Sequence, residues 1–432
     1  MIEYKGKYNK DCKVFCNSIE EEAESLIREL LDNKAFENVS IRCMPDCHAG
    51  KSIVIGFTSP ITDRINPSWV GVDISCAVTT LIFNKPLEEK SFPLVESRIR
   101  NKIPFGFNIH DRSIIDEKDF FKFIRTYYDK MRSMWPQMVN EATINEKFIS
   151  DMLRRIHMDE GVFYKGLGTV GGGNHFIELG DYQGVTAVTI HCGSRNFGLK
   201  IANYWTNIAN SGATRFKKIF KEKLTELKKN VKDKRELATL IPQLENDIRD
   251  EIPTDGCLHG EDMIGYISDM VIASAYALYN HLTIERVIRN ILLTTNGSAM
   301  IDKIQSIHNY IDFEDHMIRK GAIRSYEGER MIVPFNMRDG IAICEGKSNK
   351  DWNCSCSHGA GRQMSRNMAK KNLSLDEFKD QMKDIYSTSV CQGTIDEAPN
   401  AYKPTEEIID AIKETCTIIE FVKPLINLKA ID

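Results

Sequence analysis

Gly166-Leu167-Gly168-Thr169-Val170-Gly171-Gly172-Gly173-Asn174-His175 is followed by Val185-Thr186-Ala187-Val188-Thr189-Ile190 and then by His191-Cys192-Gly193-Ser194-Arg195. The middle segment alternates Val, Thr and Ala as a buried strand does, and it delivers His191 at its end. The first segment exposes several backbone N–H groups, a nest of the kind that holds phosphate oxygens. Its glycine spacing matches neither the Walker loop nor GxGxxG, so the common nucleotide-binding folds are not supported.

Upstream, Ser18 with Glu21 reads as a capping box opening a helix, with Leu26, Ile27, Leu30 and Leu31 on one face. Strand-like runs at Ile53–Phe57 and Ala77–Phe83 flank a polar turn around Asp73. Downstream, the pattern is helical from Ala202 to Leu293 and returns to short strands after Thr295, through Cys344. Ser374 with Glu377 predicts a capped helix over Leu375–Tyr386. These alternations predict a mixed α+β fold in one catalytic domain, 1–432, carrying a helical insertion at 202–293.

The chain has 432 residues with 42% hydrophobic and 27% charged side chains, ordinary values for a folded globular protein. Its net charge of −4 means that any contact with nucleic acid must come from a local basic patch or from the site itself. One such patch is Arg215–Arg235, which contains Lys217, Lys218, Lys221, Lys223, Lys228, Lys229, Lys232 and Lys234. It reads either as a solvated helix face or as an RNA backbone contact. Met1–Lys10 lacks the apolar core of a signal peptide. The uncharged stretch Met270–Ile284 is too short to span a bilayer and contains Asn280 and His281. A cytoplasmic protein without membrane contact is expected. The twelve cysteines form no matched CxxC pairs and read mostly as small core residues.

Of ten histidines, five stand in polar, mostly Gly-rich turns: His48, His175, His191, His308 and His358. Asp73 and Cys76, three apart in Val72-Asp73-Ile74-Ser75-Cys76, join them. Imidazole, thiolate and carboxylate are the side chains that bind borderline divalent metals, and catalytic metal sites draw ligands from distant segments. In His358-Gly359-Ala360-Gly361-Arg362 small neighbours let a phosphate approach a ring nitrogen, and neutral imidazole is a nucleophile toward phosphorus. Arg195 is placed to grip a phosphate or RNA through a two-pronged contact. Each stretch alone reads as a structural turn; together they point to phosphate chemistry at a metal site.

These residues resemble a known family. Met44-Pro45-Asp46-Cys47-His48, Gly71-Val72-Asp73-Ile74-Ser75-Cys76, Gly171-Gly172-Gly173-Asn174-His175-Phe176 and His191-Cys192-Gly193-Ser194-Arg195 look like successive signatures of the RtcB RNA ligases. His308-Asn309-Tyr310, Arg319-Lys320-Gly321-Ala322 and His358-Gly359-Ala360-Gly361-Arg362-Gln363-Met364-Ser365-Arg366 continue the series in the family's order, from Ile41 to Lys403. The resemblance implies an RtcB-like fold of stacked mixed sheets with surrounding helices. It implies two Mn²⁺ ions bridged by Cys76, with His191 and His308 on one and Asp73 and His175 on the other. By softness alone a thiolate favours zinc or cobalt, so manganese comes from the resemblance.

It further implies GTP as the second substrate, with His358 attacking the α-phosphate to give a histidine–GMP intermediate. Asn174, Phe176, Glu178, Asn336, His358, Gly359, Ala360, Gly361, Arg362, Tyr402 and Lys429 would contact the nucleotide. The RNA partner would carry a 2′,3′-cyclic phosphate or 3′-phosphate at one end and a 5′-hydroxyl at the other, in tRNA splicing or repair. An archease-type activator is a further implied partner.

The sequence departs from the family's pattern in two places. Pro334-Phe335-Asn336-Met337-Arg338-Asp339-Gly340 replaces a Pro-Gly-Ser-Met-Gly loop, and Ser75 and Ala77 stand where glycines are usual. Neither removes an implied ligand or the nucleophile; both bear on nucleotide selectivity and fit a divergent paralogue. The C-terminus Lys429-Ala430-Ile431-Asp432 also differs from the usual final Lys-Gly. Two rivals share the residues: a metal-dependent RNA-end phosphohydrolase or cyclic phosphodiesterase without ligation, and a non-catalytic RNA binder.

Overall fold

Two sheets face the interior of the molecule, and the candidate site lies where their strand ends meet. The structure is a computed structural model and describes residues 1–252 and 254–431; Asp432 lies outside them. The larger sheet orders its seven strands as Met300–Ile307, Ala77–Phe83, Val185–Cys192, Phe176–Tyr182, Cys416–Leu428, Ile341–Gly346 and Arg330–Pro334, each antiparallel to its neighbour. The smaller has six: Ile2–Tyr4, Cys12–Val14, Ile41–His48, Ile55–Pro60, Met317–Lys320 and Tyr310–Asp312. Among the described strands of this sheet only the pair Cys12–Val14 and Ile41–His48 is parallel. The mixed α+β architecture expected from the sequence is present.

The strand Val185–Cys192 begins where alternation predicts and carries His191 into its last turn of pairing. The strands Ile41–His48 and Ala77–Phe83 are buried along nearly their whole length, and in Ala77–Phe83 the cover on both faces explains the apolar run. The first helix runs Glu21–Leu31 with Ala23, Ile27, Leu30 and Leu31 buried. Its N-cap is Glu20, with no side-chain cap, so the expected Ser18 capping box does not form. Ser374 does cap the helix Leu375–Gln381, accepting from Glu377 N, but that helix stops before Tyr386. Tyr386 instead donates its N–H to Leu425 O beside the long strand.

Three helices fill the region of helical periodicity: Arg195–Asn230, Lys234–Glu251 and Gly260–Asn296. The last, 37 residues long, joins two cores. Tyr266, Met270 and Tyr276 pack with Phe120, Phe163 and Phe197, whereas Ile284, Ile288 and Ile291 pack on Leu81, Val188 and Ile190 of the larger sheet. The uncharged stretch Met270–Ile284 is the centre of this buried helix. Among the described residues no helix is long and apolar enough to cross a membrane. The helices Phe92–Lys102, Glu117–Met134, Glu146–Arg155 and Glu160–Lys165 go beyond what the sequence reading placed. All twelve cysteines are free thiols, and only Cys354 and Cys391 are not buried.

Candidate active site

The strand register brings the candidate ligands together. Ala77 pairs with Ile307 on one side and Cys192 on the other, and Phe176 pairs with His191. Cys76, His308, His191 and His175 therefore occupy the same end of four neighbouring strands. The His308 N–H donates to Cys76 O at 2.8 Å, which ties two of these ends directly. His175, His191 and His308, 99 to 232 residues beyond Cys76 in the chain, become its neighbours because a sheet aligns strand ends whatever the loops between them.

The distances are short. Cys76 Sγ lies 3.3 Å from His175 Nε2 and 3.2 Å from His191 Nε2, and His191 Nε2 lies 3.3 Å from His308 Nε2. Asp73 Oδ2 sits 3.0 Å from His175 Nε2 yet makes no hydrogen bond. His175 Nδ1 and His308 Nδ1 are likewise buried without a partner. A thiol and three imidazoles converging in this way present their lone pairs to one buried space, the donor set that a borderline divalent metal binds. A cation satisfies them together, and the ligand atoms of Cys76, His175 and His191 lie within 4.8 Å of one another. The residues present fit a metal centre.

Supporting contacts orient these ligands. The Nδ1–H of His191 donates to Asn174 O at 3.1 Å, which leaves Nε2 with its lone pair facing Cys76. Asp73 Oδ1 accepts from Ser194 N at 3.0 Å. A Cβ at Gly171 would overlap the His175 ring, and one at Gly193 would overlap the Asp73 carboxylate, so both glycines are required by close approach. Asn280 holds the glycine-rich loop: its Oδ1 accepts from Gly168 N at 2.7 Å and its Nδ2 donates to Gly193 O at 3.2 Å. Burial drives the His191 and His308 pKa values well down, aided by neighbouring histidines, which keeps both rings neutral as metal ligands must be. Burial also raises Asp73, but His175 outweighs it and brings the carboxylate to about 2.

His358 follows the short strand Ser355–Ser357, which pairs with Ala322–Arg324. Its ring centroid is 4.8 Å from that of His308. Asp46, fully buried in the smaller sheet, accepts from His358 Nδ1 at 2.6 Å and from His358 N at 3.2 Å. With Nδ1 donating, Nε2 keeps its lone pair.

A cavity of about 320 Å³ adjoins these groups, lined by Asp73, Cys76, His175, His191, His308 and His358 together with Asn174, Phe176, Glu178, Asn336, Gly359, Ala360, Gly361, Arg362, Tyr402 and Lys429. Every residue that the sequence reading assigned to metal or nucleotide thus lines one space. Asn336 does so with its side chain spent on its own turn, accepting from Arg338 N and Asp339 N at 3.0 Å each. Arg195 stands outside the lining: its Nε donates to Thr169 Oγ1 at 2.9 Å and its Nη2 to Gly106 O at 2.6 Å.

Asp46, buried behind the cavity wall, and the cavity residues Glu397 and Asn427 carry contacts that sequence reasoning did not assign. Asp46 orients His358. Glu397, 2% exposed, accepts from Tyr402 Oη at 2.6 Å and Lys429 Nζ at 2.8 Å, and pairs with Arg366 at 2.6 Å and Arg362 at 3.3 Å. Asn427 Nδ2 donates to Glu178 Oε2 at 2.7 Å. Asp46 had a signal, its place in Pro45-Asp46-Cys47-His48; Glu397 and Asn427 had none beyond polarity in apolar surroundings.

The family model described as "tRNA-splicing ligase RtcB" matches residues 34–430. The chain belongs to the RtcB family. It is similar to the RNA-splicing ligase RtcB of Escherichia coli K12, 27% identical over 459 residues that cover 98% of each chain. The tRNA-splicing ligase RtcB of Archaeoglobus fulgidus is 24% identical, over 85% of this chain and 83% of that one. The RNA-splicing ligase RtcB of Mycobacterium bovis is 23% identical, over 85% and 91%.

Proposed function

We propose that this RtcB-family chain is a GTP- and Mn²⁺-dependent ligase that joins RNA 3′-phosphate or 2′,3′-cyclic phosphate ends to 5′-hydroxyl ends. The observation that carries this reading is the Asp46–His358 pair beside the Cys76 cluster. A phosphohydrolase needs the metal ligands alone; an imidazole with one nitrogen fixed by a buried carboxylate and the other free is what a covalent nucleophile needs.

In this reading Cys76, His191 and His308 would hold one Mn²⁺, and Cys76, Asp73 and His175 the other. Bound there, the ions supply charge neutralisation for crowded phosphates. His358 Nε2 attacks the α-phosphorus of GTP; the P–N bond forms as the bond to the β-phosphate oxygen breaks, and pyrophosphate leaves. Asp46 stabilises the positive charge that develops on the ring. Glu178 and Asn427 face the base, and Arg362 and Lys429, steadied by Glu397, face the nucleotide.

Water opens a 2′,3′-cyclic end to a 3′-phosphate. An oxygen of that phosphate then takes GMP from His358, which breaks the P–N bond and restores the neutral ring. The RNA 5′-hydroxyl attacks the activated 3′-phosphate and expels GMP, leaving a 3′,5′ bond.

The test is incubation with α-labelled GTP and Mn²⁺. Acid-labile, alkali-stable label on the protein, absent in His358→Ala, is expected, followed by sealing of a cleaved stem-loop with 2′,3′-cyclic phosphate and 5′-hydroxyl ends. Opening of the cyclic phosphate without label would make the chain a phosphodiesterase. RNA binding indifferent to chelators and to Cys76→Ala, with neither activity, would make it a binder.

A further inference from the structure

The helix Arg195–Asn230 begins at the metal centre, directly after Ser194 contacts Asp73, and continues unbroken for 36 residues. Its first half is anchored in the core by Phe197, Ile201 and Trp205. After Gly212 this changes: from 213 to 247 no residue is buried. The second half of the helix and its partner Lys234–Glu251 therefore leave the body as a two-helix arm. Phe216, Ile219, Phe220, Leu224 and Leu227 are half-buried in the seam between the two.

The arm's charge is one-sided. Arg215–Arg235 holds ten cations against three carboxylates, Glu222, Glu226 and Asp233, in a chain whose net charge is −4. At about 100° per residue, Lys217, Lys221 and Lys228 fall within about 40° of one another, and Lys218 and Lys229 flank them. This sector of about 120° contains no acid; the seam adjoins it on one side, and Glu222 and Glu226 border it on the other, Glu222 about 20° beyond Lys229. All five lysines are exposed, and among the described residues none has an ion-pair partner. A merely solvated face would interleave the two signs.

The geometry points to this lysine face as a grip for the backbone of an RNA duplex, an inference that rests on the RNA-end reading above. At about 1.5 Å per residue the face begins about 33 Å along the helix from Arg195 and ends at about 51 Å. One turn of a nucleic-acid duplex is on the order of 34 Å. The arm therefore reaches a stem one turn or more from the end being sealed, where phosphates offer charge and no sequence needs to be read. A membrane surface is a poorer fit, because the arm's apolar side is used in the seam and no large apolar residue of 213–247 is exposed.

The test compares two RNAs with identical ends, one with a duplex shorter than half a turn and one about two turns long. The wild-type protein is expected to bind the long RNA more tightly and with a steeper salt dependence. In K217Q/K221Q/K228Q the slope of log K against log salt for the long RNA falls by about 2.7 if three phosphate contacts are lost. The gap between wild type and variant then narrows about 40-fold between 50 and 200 mM salt. The short RNA is bound and sealed as before, and K217R/K221R/K228R restores the long-RNA advantage.

Equal binding of the two RNAs by the wild type, or an unchanged slope in the glutamine variant, overturns the assignment. So does a variant that loses affinity for phosphatidylserine vesicles or an acidic protein but not for RNA. Label on His358 and sealing of the short RNA report on the ligase reading separately, so failure of one does not imitate failure of the other.

Discussion

Asp46 and His358 come from different sheets and meet at 2.6 Å, with the carboxylate fully buried and the imidazole at the cavity wall. The same Asp46 oxygen also accepts the His358 backbone N–H, so the carboxylate fixes both the ring and the turn that bears it. Its other oxygen has no partner. An aspartate kept in this position does two jobs for a nucleophilic histidine: it fixes the tautomer and offsets the charge on the ring after attack. Asp46→Asn preserves the shape and removes the charge. Covalent labelling by α-labelled GTP is expected to slow by between about 10² and 10⁴-fold, with the far-ultraviolet spectrum unchanged. A rate within threefold of wild type would show that Asp46 is only a scaffold.

Cys76 sits between His175 and His191, so it is the ligand whose loss affects both halves of the cluster. If the proposed pair of Mn²⁺ ions binds here, Cys76→Ala is expected to abolish tight binding of both, whereas His308→Ala lowers the stoichiometry by one. Equilibrium dialysis with metal analysis reads the difference. Metal at about 100 times its Kd should stabilise the wild-type fold by about 2.7 kcal/mol and leave Cys76→Ala unaffected. Equal stoichiometry in the two variants would remove Cys76 from its bridging place.

That these candidate residues gather was legible in the sequence for a physical reason. His175, His191 and His308 stand at strand ends, and a strand that stops at a polar, glycine-bearing turn marks itself by its pattern. The mixed fold was legible from the same alternation. Buried carboxylates were not. Glu397 acts through a four-way contact whose members, Arg362, Arg366, Tyr402 and Lys429, gather only in three dimensions. Asn280 and His281 were visible only as polar interruptions of an apolar stretch. In the fold they hold the site: Asn280 supports the glycine-rich loop, and His281 Nε2 donates to Cys192 O at 2.8 Å. The Ser18 capping box failed because the chain stays extended to Glu20, a choice made by packing of Ile27 and Leu31.

Glu397 supplies a separate prediction. Burial alone would raise its pKa, but Lys429, Arg366 and Arg362 overcome this and hold it at about 2. Its ionised form is therefore a net stabiliser above the unfolded value of 4.5, and that contribution is lost as pH falls from there toward 2. Glu397→Gln leaves the buried Lys429 without its carboxylate partner, a loss of about 3–5 kcal/mol by analogy with other broken buried pairs. The expected signature is a lower urea midpoint at pH 7, with a gap to wild type that narrows below pH 4.5 and closes only toward pH 2, together with weaker GTP binding. A constant difference across that range would assign the loss to packing.

Glu178 titrates in the opposite direction. Burial raises its pKa to about 8, with Asn427 and Lys429 offsetting only part of the effect. At pH 7 the free enzyme therefore holds it mostly as the neutral acid. A guanine edge presents N–H donors, which bind the carboxylate and not the acid, so binding GTP must release a proton. The apparent affinity is expected to improve about tenfold between pH 7 and pH 9 and then level off, and calorimetry in buffers of different ionisation enthalpy should detect the released proton. Glu178→Gln cannot titrate; it should bind GTP with no such rise and discriminate less against ATP. Affinity that improves as pH falls, or an identical rise in the glutamine variant, would take Glu178 out of base recognition.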